Sequence, residues 1–224
     1  MTDKDGAKMT VGNNIKAFRA QLPAHVTLVA VSKTKPLPEI LEAYNAGQLD
    51  FGENRVQELM EKQGALPQDI RWHLIGHLQT NKVKFIVPFV NLIHSVDSEK
   101  LLAEINKQAG KANRIIPVLL QIFIAQEETK FGFSFDEAEA ILKNNPSGKY
   151  SHVRIEGLMG MATNTEDRSQ VRQEFRSLKS FIAHVQEKNP DFRTLSMGMT
   201  SDWKIAIEEG SNLVRIGSAL FGDR

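Results

Sequence analysis

Residues 25–33 read HVTLVAVSK, a run of β-branched and apolar residues that ends on a serine and a lysine. A turn segment with the sequence TKP follows at 34–36, and residues 37–46 then show the apolar spacing of a helix. A strand that is apolar on both faces and leads directly into a helix is the building unit of a parallel sheet. This stretch therefore predicts a βα unit.

The same pattern recurs along the chain. We count eight apolar runs, each followed by a turn signal, at 25–33, 49–54, 70–76, 91–97, 114–124, 153–161, 194–199 and 213–222. Helical spacing fills the gaps between them at 37–46, 56–65, 82–90, 99–111, 136–143, 167–188 and 203–209. Residues 9–20 predict an extra helix ahead of the first strand, and little room is left for a helix after the eighth run.

Eight βα units with right-handed crossovers can stay open as a doubly wound sheet or close into a barrel. The number eight favours closure, and a chain of 224 residues is long enough for a (β/α)8 TIM barrel. No segment has the composition of a linker or of a low-complexity tract. We therefore predict a single α/β barrel domain over residues 1–224.

Composition excludes several classes of function. Lys and Arg number 28 against 27 Asp and Glu, so the chain lacks the basic excess typical of nucleic-acid-binding proteins. Cysteine is absent, which excludes disulfides, thiolate nucleophiles and Cys-based metal sites, and neither His73 nor His77 has a carboxylate at metal-triad spacing. The amino-terminal residues are polar and no long apolar run occurs, so we expect a cytoplasmic protein without a membrane segment or a metal site.

Two segments at the last two predicted strands favour an anion site. In TIM barrels the site lies at the carboxyl ends of the strands, and phosphate groups favour the loops after strands 7 and 8. Residues 196–201 read SMGMTS and residues 215–218 read RIGS, which offer hydroxyl donors and close backbone approach. The first segment also precedes a short helix, whose terminal N–H groups attract anions. Ordinary turns and an N-cap are the alternative interpretation.

Lys33 stands at the end of the first predicted strand. The alternation of side chains along a strand places it on the same face as Val29 and Val31, directed to the barrel mouth. Partial desolvation and the nearby Lys35 both favour a neutral, nucleophilic amine. An amine that faces a phosphate site is the arrangement that holds pyridoxal 5′-phosphate (PLP) as an imine. The alternative is a solvated lysine at a strand end.

Arg215 lies on the eighth strand and shares a face with Gly217, so it can reach the barrel centre. A guanidinium beside a pyridine nitrogen would donate a hydrogen bond to the unprotonated ring and weaken the cofactor as an electron sink. Aminotransferase and decarboxylase chemistry, which relies on an aspartate at that position, is therefore disfavoured. An arginine in a surface ion pair is the alternative.

Three further residues have two interpretations each. Asn54 either hydrogen-bonds a ring substituent or caps the helix that begins near Val56. His73 and His77 flank the third strand, where a hydrogen-bonded core histidine is a commoner finding than an acid or a base.

Five ordered motifs are familiar: VSKTKP at 31–36, FGEN at 51–54, WHLIGHLQTNK at 72–82, SMGM at 196–199 and VRIG at 214–217. Together they resemble the pyridoxal phosphate homeostasis proteins, the YggS/PROSC family. The resemblance implies a fold-type III barrel similar to the N-terminal domain of bacterial alanine racemase, with PLP held as a Schiff base, an aldimine, on Lys33. It also implies that Arg215 faces the pyridine nitrogen and that the phosphate is surrounded by Ser196, Thr200, Gly217 and Ser218.

Members of that family carry or regulate the pool of B6 vitamers and affect amino-acid balance, with no established turnover. The resemblance therefore implies a carrier that buffers PLP, is not an enzyme, and has PLP-dependent apoenzymes or a regulatory protein as partners. We expect a monomer, because no exposed apolar stripe is evident. The sequence departs from the family pattern at Gly160 and in the segment 121–129, at the ends of strands 6 and 5.

Two enzyme classes are the alternatives to a carrier. An amino-acid racemase needs a base on each face of its planar intermediate, and related racemases take a tyrosine from a second domain. Here Tyr44 and Tyr150 both fall away from the predicted strand ends. A phosphate-sugar isomerase would need a strand-end carboxylate, for which Glu53 or Glu156 are the candidates. Both comparisons favour the carrier.

Overall fold

A computed structural model describes residues 10–126, 131–143, 149–187 and 189–222. Eight parallel strands form a closed barrel in sequence order, and the last strand pairs with the first. The strands are β1 (Thr27–Val31), β2 (Asp50–Glu53), β3 (Arg71–Leu74), β4 (Leu92–Val96), β5 (Ile116–Ile122), β6 (Val153–Gly160), β7 (Thr194–Ser196) and β8 (Leu213–Ile216). The predicted TIM barrel is confirmed.

Helices alternate with the strands. The described helices are α1 (Val11–Arg19), α2 (Leu37–Asn45), α3 (Val56–Ala65), α4 (Val83–Ile86), α5 (Glu99–Lys111), α6 (Phe135–Lys143), α7 (Arg168–Gln186), α8 (Trp203–Glu208) and α9 (Ser218–Phe221). The expected extra helix ahead of β1 is therefore present as α1. Residues 9, 127–129 and 188, which the sequence analysis placed in predicted segments, lie outside the described residues.

The carboxyl end of the chain differs from the sequence prediction. The eighth run does not continue as a strand to residue 222, because the backbone turns at Gly217 and α9 follows. Two side chains hold this short helix: Asn14 of α1 donates to the Leu220 carbonyl, and Lys35 donates to the Phe221 carbonyl. Contacts distant in sequence thus stabilise a helix that the local pattern did not predict.

Apolar side chains fill two layers. The larger cluster lies between the barrel and its helices, with Phe51, Leu74 and Phe175 fully buried. A smaller cluster fills part of the barrel interior and consists of Val29, Leu92, Leu119, Met159 and Leu213. Strands buried on both faces explain the continuous apolar runs in the sequence. Among the described residues, no helix combines the length and the apolarity needed to cross a membrane.

Candidate functional site

A cavity of about 570 Å³ opens at the carboxyl ends of the strands. Its walls come from the β1–α2 loop, from the loop after β7 and from the end of β8. The lining residues are Val31, Lys33, Thr34, Lys35, Asn54, Ile75, Met161, Met199, Thr200, Ser201, Arg215, Gly217, Ser218 and Gly222. Of the site residues named from the sequence, all except Ser196 lie on this one cavity.

Lys33 reaches the cavity by the alternation of β1. Val29 belongs to the interior cluster, while Val31 and Lys33 line the cavity above it. The lysine is half-buried. Within the described part of the chain, its amine has neither a hydrogen bond nor an ion pair, so it is available to a ligand.

The turn after Lys33 has an uncommon backbone conformation. Thr34 has a φ of 63°, in the left-handed region that a β-branched residue rarely adopts. Its amide donates to the Glu58 carboxylate of α3, which fixes this conformation. On the other side of Lys33, the Ser32 carbonyl accepts a hydrogen bond of 2.7 Å from the Lys62 ammonium.

A buried ion cluster, made of Glu53, Glu58 and Lys62, lies beneath that turn. Lys62 Nζ lies 2.7 Å from Glu53 Oε1 and 2.6 Å from Glu58 Oε1. The Ser32 hydroxyl donates to the same Glu53 oxygen. Burial raises the pKa of the Glu53 carboxyl, and the hydrogen bonds from Lys62 and Ser32 only partly offset this effect. The cluster therefore anchors the backbone on both sides of Lys33.

Lys35 joins the first loop to the end of the chain. Its ammonium donates to the Phe221 and Gly222 carbonyls, each at 3.1 Å. Because α9 begins at Ser218, this contact also helps to place the Gly217–Ser218 segment on the cavity. Gly217 lies against β1: a Cβ atom added there would be 3.5 Å from Val31 Cβ.

The loop after β7 supplies polar groups to the cavity. Gly198 has a φ of +98°, which turns the chain toward α8. Asp202 occupies the N-cap position of α8, but its carboxylate accepts a hydrogen bond of 2.6 Å from the Met199 amide. Thr200 and Ser201 line the cavity between them. Their hydroxyls are donors suited to an anion, whereas the Trp203 amide, the first of α8, donates to the Met199 carbonyl at 2.9 Å.

Arg215 is buried, with 4% of its surface exposed. The alternative interpretation, an arginine in a surface ion pair, is therefore wrong. Its Nη1 donates to the Ser196 carbonyl at 2.9 Å and to the Ser196 hydroxyl at 2.6 Å, and its Nη2 donates to the Gly160 carbonyl at 3.1 Å. Burial lowers the pKa of the guanidinium to about 10, while the nearby Asp202 opposes the shift. Two of its five N–H donors have no acceptor among the described residues, on a side chain that lines the cavity.

Ser196 is not where the resemblance placed it. The side chain is fully buried, and its hydroxyl contacts Arg215 and His94 instead of the cavity. Its position beside a phosphate is therefore corrected: the inward face of β7 at this level belongs to the barrel interior. The sequence analysis also missed His94 and Asp50. Their signal was a polar residue at an inward position of an apolar run.

The two histidines that flank β3 have different surroundings. His73 is buried in the barrel interior, where it contacts Asp50 and His94, in agreement with a core histidine. His77 is exposed and lies 2.9 Å from Asp97. It lines a second cavity of about 420 Å³ next to the first.

Asn54 lies between these two cavities and lines both. Its interpretation as an N-cap is wrong, because Arg55 holds that position of α3 without a side-chain cap. Gly76 packs on the Asn54 backbone so closely that an added Cβ would lie 2.4 Å from the Asn54 carbonyl oxygen. This close packing leaves the Asn54 side chain at the cavity wall.

Gly160, one of the two departures from the family pattern, lies in a tightly packed position. A Cβ atom there would lie 2.7 Å from the Leu178 side chain of α7 and 2.9 Å from the Ile124 side chain, so a larger residue would require these two side chains to move. The Gly160 carbonyl still contributes to the site by accepting from Arg215. Of the segment 121–129, residues 127–129 lie outside the described residues.

Neither tyrosine lies on the Lys33 cavity. The Tyr44 hydroxyl donates to Asp69, and the Tyr150 hydroxyl donates to Glu99. The hydrogen bond to Asp69 is the main cause that raises the pKa of the Tyr44 phenol. Burial raises the pKa of the Tyr150 phenol most, and the hydrogen bond to Glu99 adds to this effect. The lining residues that the structure describes include no phenol, carboxylate or imidazole.

The carboxylates considered for an isomerase are engaged elsewhere. Glu53 is fully buried against Lys62, and Glu156 pairs with Arg154. Neither reaches the cavity. In the described part of the chain, no group of three or more His, Cys, Asp or Glu side chains could hold a metal ion.

Comparison with known proteins adds independent information. The family model "Alanine racemase, N-terminal domain" matches residues 9–224. The pyridoxal phosphate homeostasis protein of Aquifex aeolicus is 42% identical over 199 residues, which cover 88% of this chain and 86% of that protein.

Two solved structures are similar to the barrel. PipY of Synechococcus elongatus PCC7942 with PLP bound is 37% identical, with a TM-score of 0.86 over 95% of this chain and all of that one. Alanine racemase from E. faecalis is 17% identical, with a TM-score of 0.75 over 96% of this chain and 58% of that one, a likeness of fold alone. With the five ordered motifs and the closed barrel, these matches show that the chain belongs to the pyridoxal phosphate homeostasis protein family.

Proposed function

We propose that this protein binds PLP through Lys33 and carries or buffers it for intracellular PLP and amino-acid homeostasis, without a catalytic turnover. The observation that carries the proposal is the single cavity lined by a lysine amine, a buried guanidinium and two polar rim segments. Relatives named as homeostasis proteins, and the PipY structure with PLP bound, support it.

The donor set fits the three polar parts of PLP. The hydroxyls of Thr200, Ser201 and Ser218, with the adjacent N–H groups, suit the phosphate. The unused N–H donors of Arg215 suit a pyridine nitrogen. The Lys33 amine suits the aldehyde: when PLP is bound, the two condense to a C=N bond, a Schiff base, with release of one water.

Arg215 limits what a bound cofactor could do. A guanidinium whose pKa is about 10 stays charged at neutral pH and can only donate hydrogen bonds. A ring nitrogen that accepts such a bond stays unprotonated, and the ring then withdraws electrons weakly. This property suits storage of the aldehyde better than a reaction at an amino-acid substrate.

A PLP-dependent amino-acid racemase is the alternative. Racemisation needs a proton donor and acceptor on each face of the cofactor, and the described lining offers amines alone for that purpose. Assays with alanine, serine and threonine should show no turnover above that of free PLP. Saturable racemisation would instead establish an enzyme.

A visible absorbance titration tests the binding proposal. The unaltered protein should gain an imine band on addition of PLP, and Lys33→Ala should not. The variant should still retain PLP noncovalently, since the phosphate donors are unchanged. Lys35→Arg is the matched control: an arginine can still donate to the Phe221 and Gly222 carbonyls but cannot form an imine, so the band should stay in place. A protein that stays colourless with PLP would overturn the proposal.

We further propose a cytoplasmic monomer, folded as one domain over residues 1–224, that hands PLP to PLP-dependent apoenzymes or to a regulatory protein. Sedimentation velocity should give one species at the monomer mass. Addition of an apoenzyme in excess should restore that enzyme's activity and remove the imine band from this protein.

A further inference from the structure

The barrel interior contains polar side chains in an otherwise apolar volume. Asp50, His73, His94, Ser196 and Arg215, here called the interior chain, come from five strands and are all buried. Asp50 is the first residue of β2, whereas Arg215 lines the cavity at the other end of the barrel. The interior chain therefore runs between the two ends of the barrel.

Hydrogen bonds connect each member to the next. His73 Nε2 lies 3.0 Å from Asp50 Oδ1, and His73 Nδ1 lies 2.9 Å from His94 Nε2. His94 Nδ1 lies 3.0 Å from the Ser196 hydroxyl, which accepts from Arg215 at 2.6 Å. A buried polar group without a partner is costly, so a continuous series of this kind holds each member in place.

The chemistry of the two ends fixes the direction of every hydrogen bond. Asp50 is a carboxylate, since hydrogen bonds from His73 and Arg71 outweigh the burial that would raise its pKa. A carboxylate accepts only, so His73 carries its proton on Nε2 and accepts on Nδ1. His94 must then donate from Nε2 and accept on Nδ1.

The Ser196 hydroxyl fixes the direction of the hydrogen bonds at the Arg215 end of the interior chain. Its hydroxyl proton goes to His94 Nδ1, and its oxygen remains free to accept from Arg215. A proton on His94 Nδ1 would leave the Ser196 proton without an acceptor in this series. Burial is the main cause that holds the pKa of His94 well below its ordinary value, which agrees with a neutral ring.

We propose that Asp50, His73, His94 and Ser196 are positioning residues that hold the Arg215 guanidinium toward the cavity through one fixed order of protons. The proposal rests on the proposed function in one respect, that Arg215 meets the ring nitrogen of PLP. When PLP is bound, the other members of the interior chain keep two N–H donors of Arg215 directed toward the cavity, which slows the loss of PLP.

Long-range 15N NMR of the histidine side chains in the protein without PLP tests the order of protons directly. At neutral pH, both rings should carry a proton on Nε2, and the Nδ1 atom of each should accept a hydrogen bond. A ring protonated on Nδ1 alone, or an imidazolium at His94, would overturn the proposal. This result does not depend on PLP binding, so it decides the interior chain even if the proposed function fails.

Ser196→Ala tests the positioning of Arg215. The matched control is Ser211→Ala, because Ser211 is equally buried in the same region and its hydroxyl contacts the Leu195, Met197 and Leu213 carbonyls only. Both variants should lose stability, but only Ser196→Ala should speed rotation of the Arg215 guanidinium in NMR spectra.

With PLP bound, Ser196→Ala should also release the cofactor about tenfold faster, in proportion to one lost hydrogen bond to a charged group. The imine on Lys33 should still form in this variant. Equal guanidinium rotation and equal PLP release in the two serine variants would overturn the proposal. Failure of the unaltered protein to form the imine would instead count against the proposed function.

Discussion

Lys62 is the residue on which the conformation around Lys33 depends most. It is 5% exposed, and its ammonium donates to a carbonyl and to two carboxylates around the Ser32–Thr34 segment. Glu53 Oε2 has no partner among the described residues, so the neutralisation of this carboxylate depends on Lys62. A buried charge without its partner is unfavourable because the protein interior solvates it poorly.

Lys62→Met should therefore cost about 3–5 kcal/mol in the free energy of unfolding, since it leaves an uncompensated buried carboxylate. Urea denaturation at pH 7 measures this value. The control is Lys107→Met, which removes an exposed ion pair with Glu104 and should change the value by less than about 0.5 kcal/mol. Equal small effects would show that the cluster does not stabilise the fold.

The sequence predicted some positions at this scale and not others. Lys33 and Arg215 follow from strand alternation, because each continues the face of an inward apolar neighbour. Ser196 could not be placed, since its hydrogen bond to His94 joins residues that are 102 positions apart. Local patterns contain no information on such pairs.

Among the elements, the turn from β7 to α8 brings two hydroxyl donors to the cavity, those of Thr200 and Ser201. An added Cβ at Gly198 would lie 2.6 Å from Ala206 Cβ, in a backbone conformation that strains any other residue. Gly198→Ala should therefore destabilise the protein by roughly 2–5 kcal/mol, from backbone strain and overpacking. The same change should weaken PLP binding, because Thr200 and Ser201 follow in the turn.

Thermal denaturation and PLP titration measure these two effects. Gly64→Ala is the matched control: its Cβ would contact nothing within 4 Å, and alanine should stabilise α3 by up to about 1 kcal/mol. If Gly198→Ala bound PLP as tightly as Gly64→Ala, the turn would not hold the phosphate.

The strands were predictable because strands buried on both faces are rich in apolar residues, and each of the eight predicted runs contains one strand. The short helices could not be predicted in the same way. The predicted helix at 82–90 is only α4, preceded by a 3-10 turn at Thr80–Lys82, and α9 depends on Asn14 and Lys35 from other parts of the chain.

For the whole molecule, the buried His94 links stability to pH. Its pKa is well below the ordinary value in the folded state, so near and below pH 6.5 the unfolded chain binds a proton that the folded protein does not. The free energy of unfolding contributed by His94 should be complete above that pH and should fall as the pH decreases through it.

Urea denaturation between pH 5 and 8 checks this dependence. His94→Gln replaces the imidazole by a group that does not titrate, so the difference between the two proteins isolates His94. That difference should favour the unaltered protein more at pH 8 than at pH 5. A difference that is constant, or that grows toward acid, would contradict a neutral buried imidazole.

Borohydride reduction followed by peptide mapping tests the central claim most directly, since it turns a C=N bond into a stable link at the attached lysine. We expect one reduced pyridoxyl phosphate group, on the peptide that contains Lys33. A label on a different lysine, or none after saturation with PLP, would contradict the account.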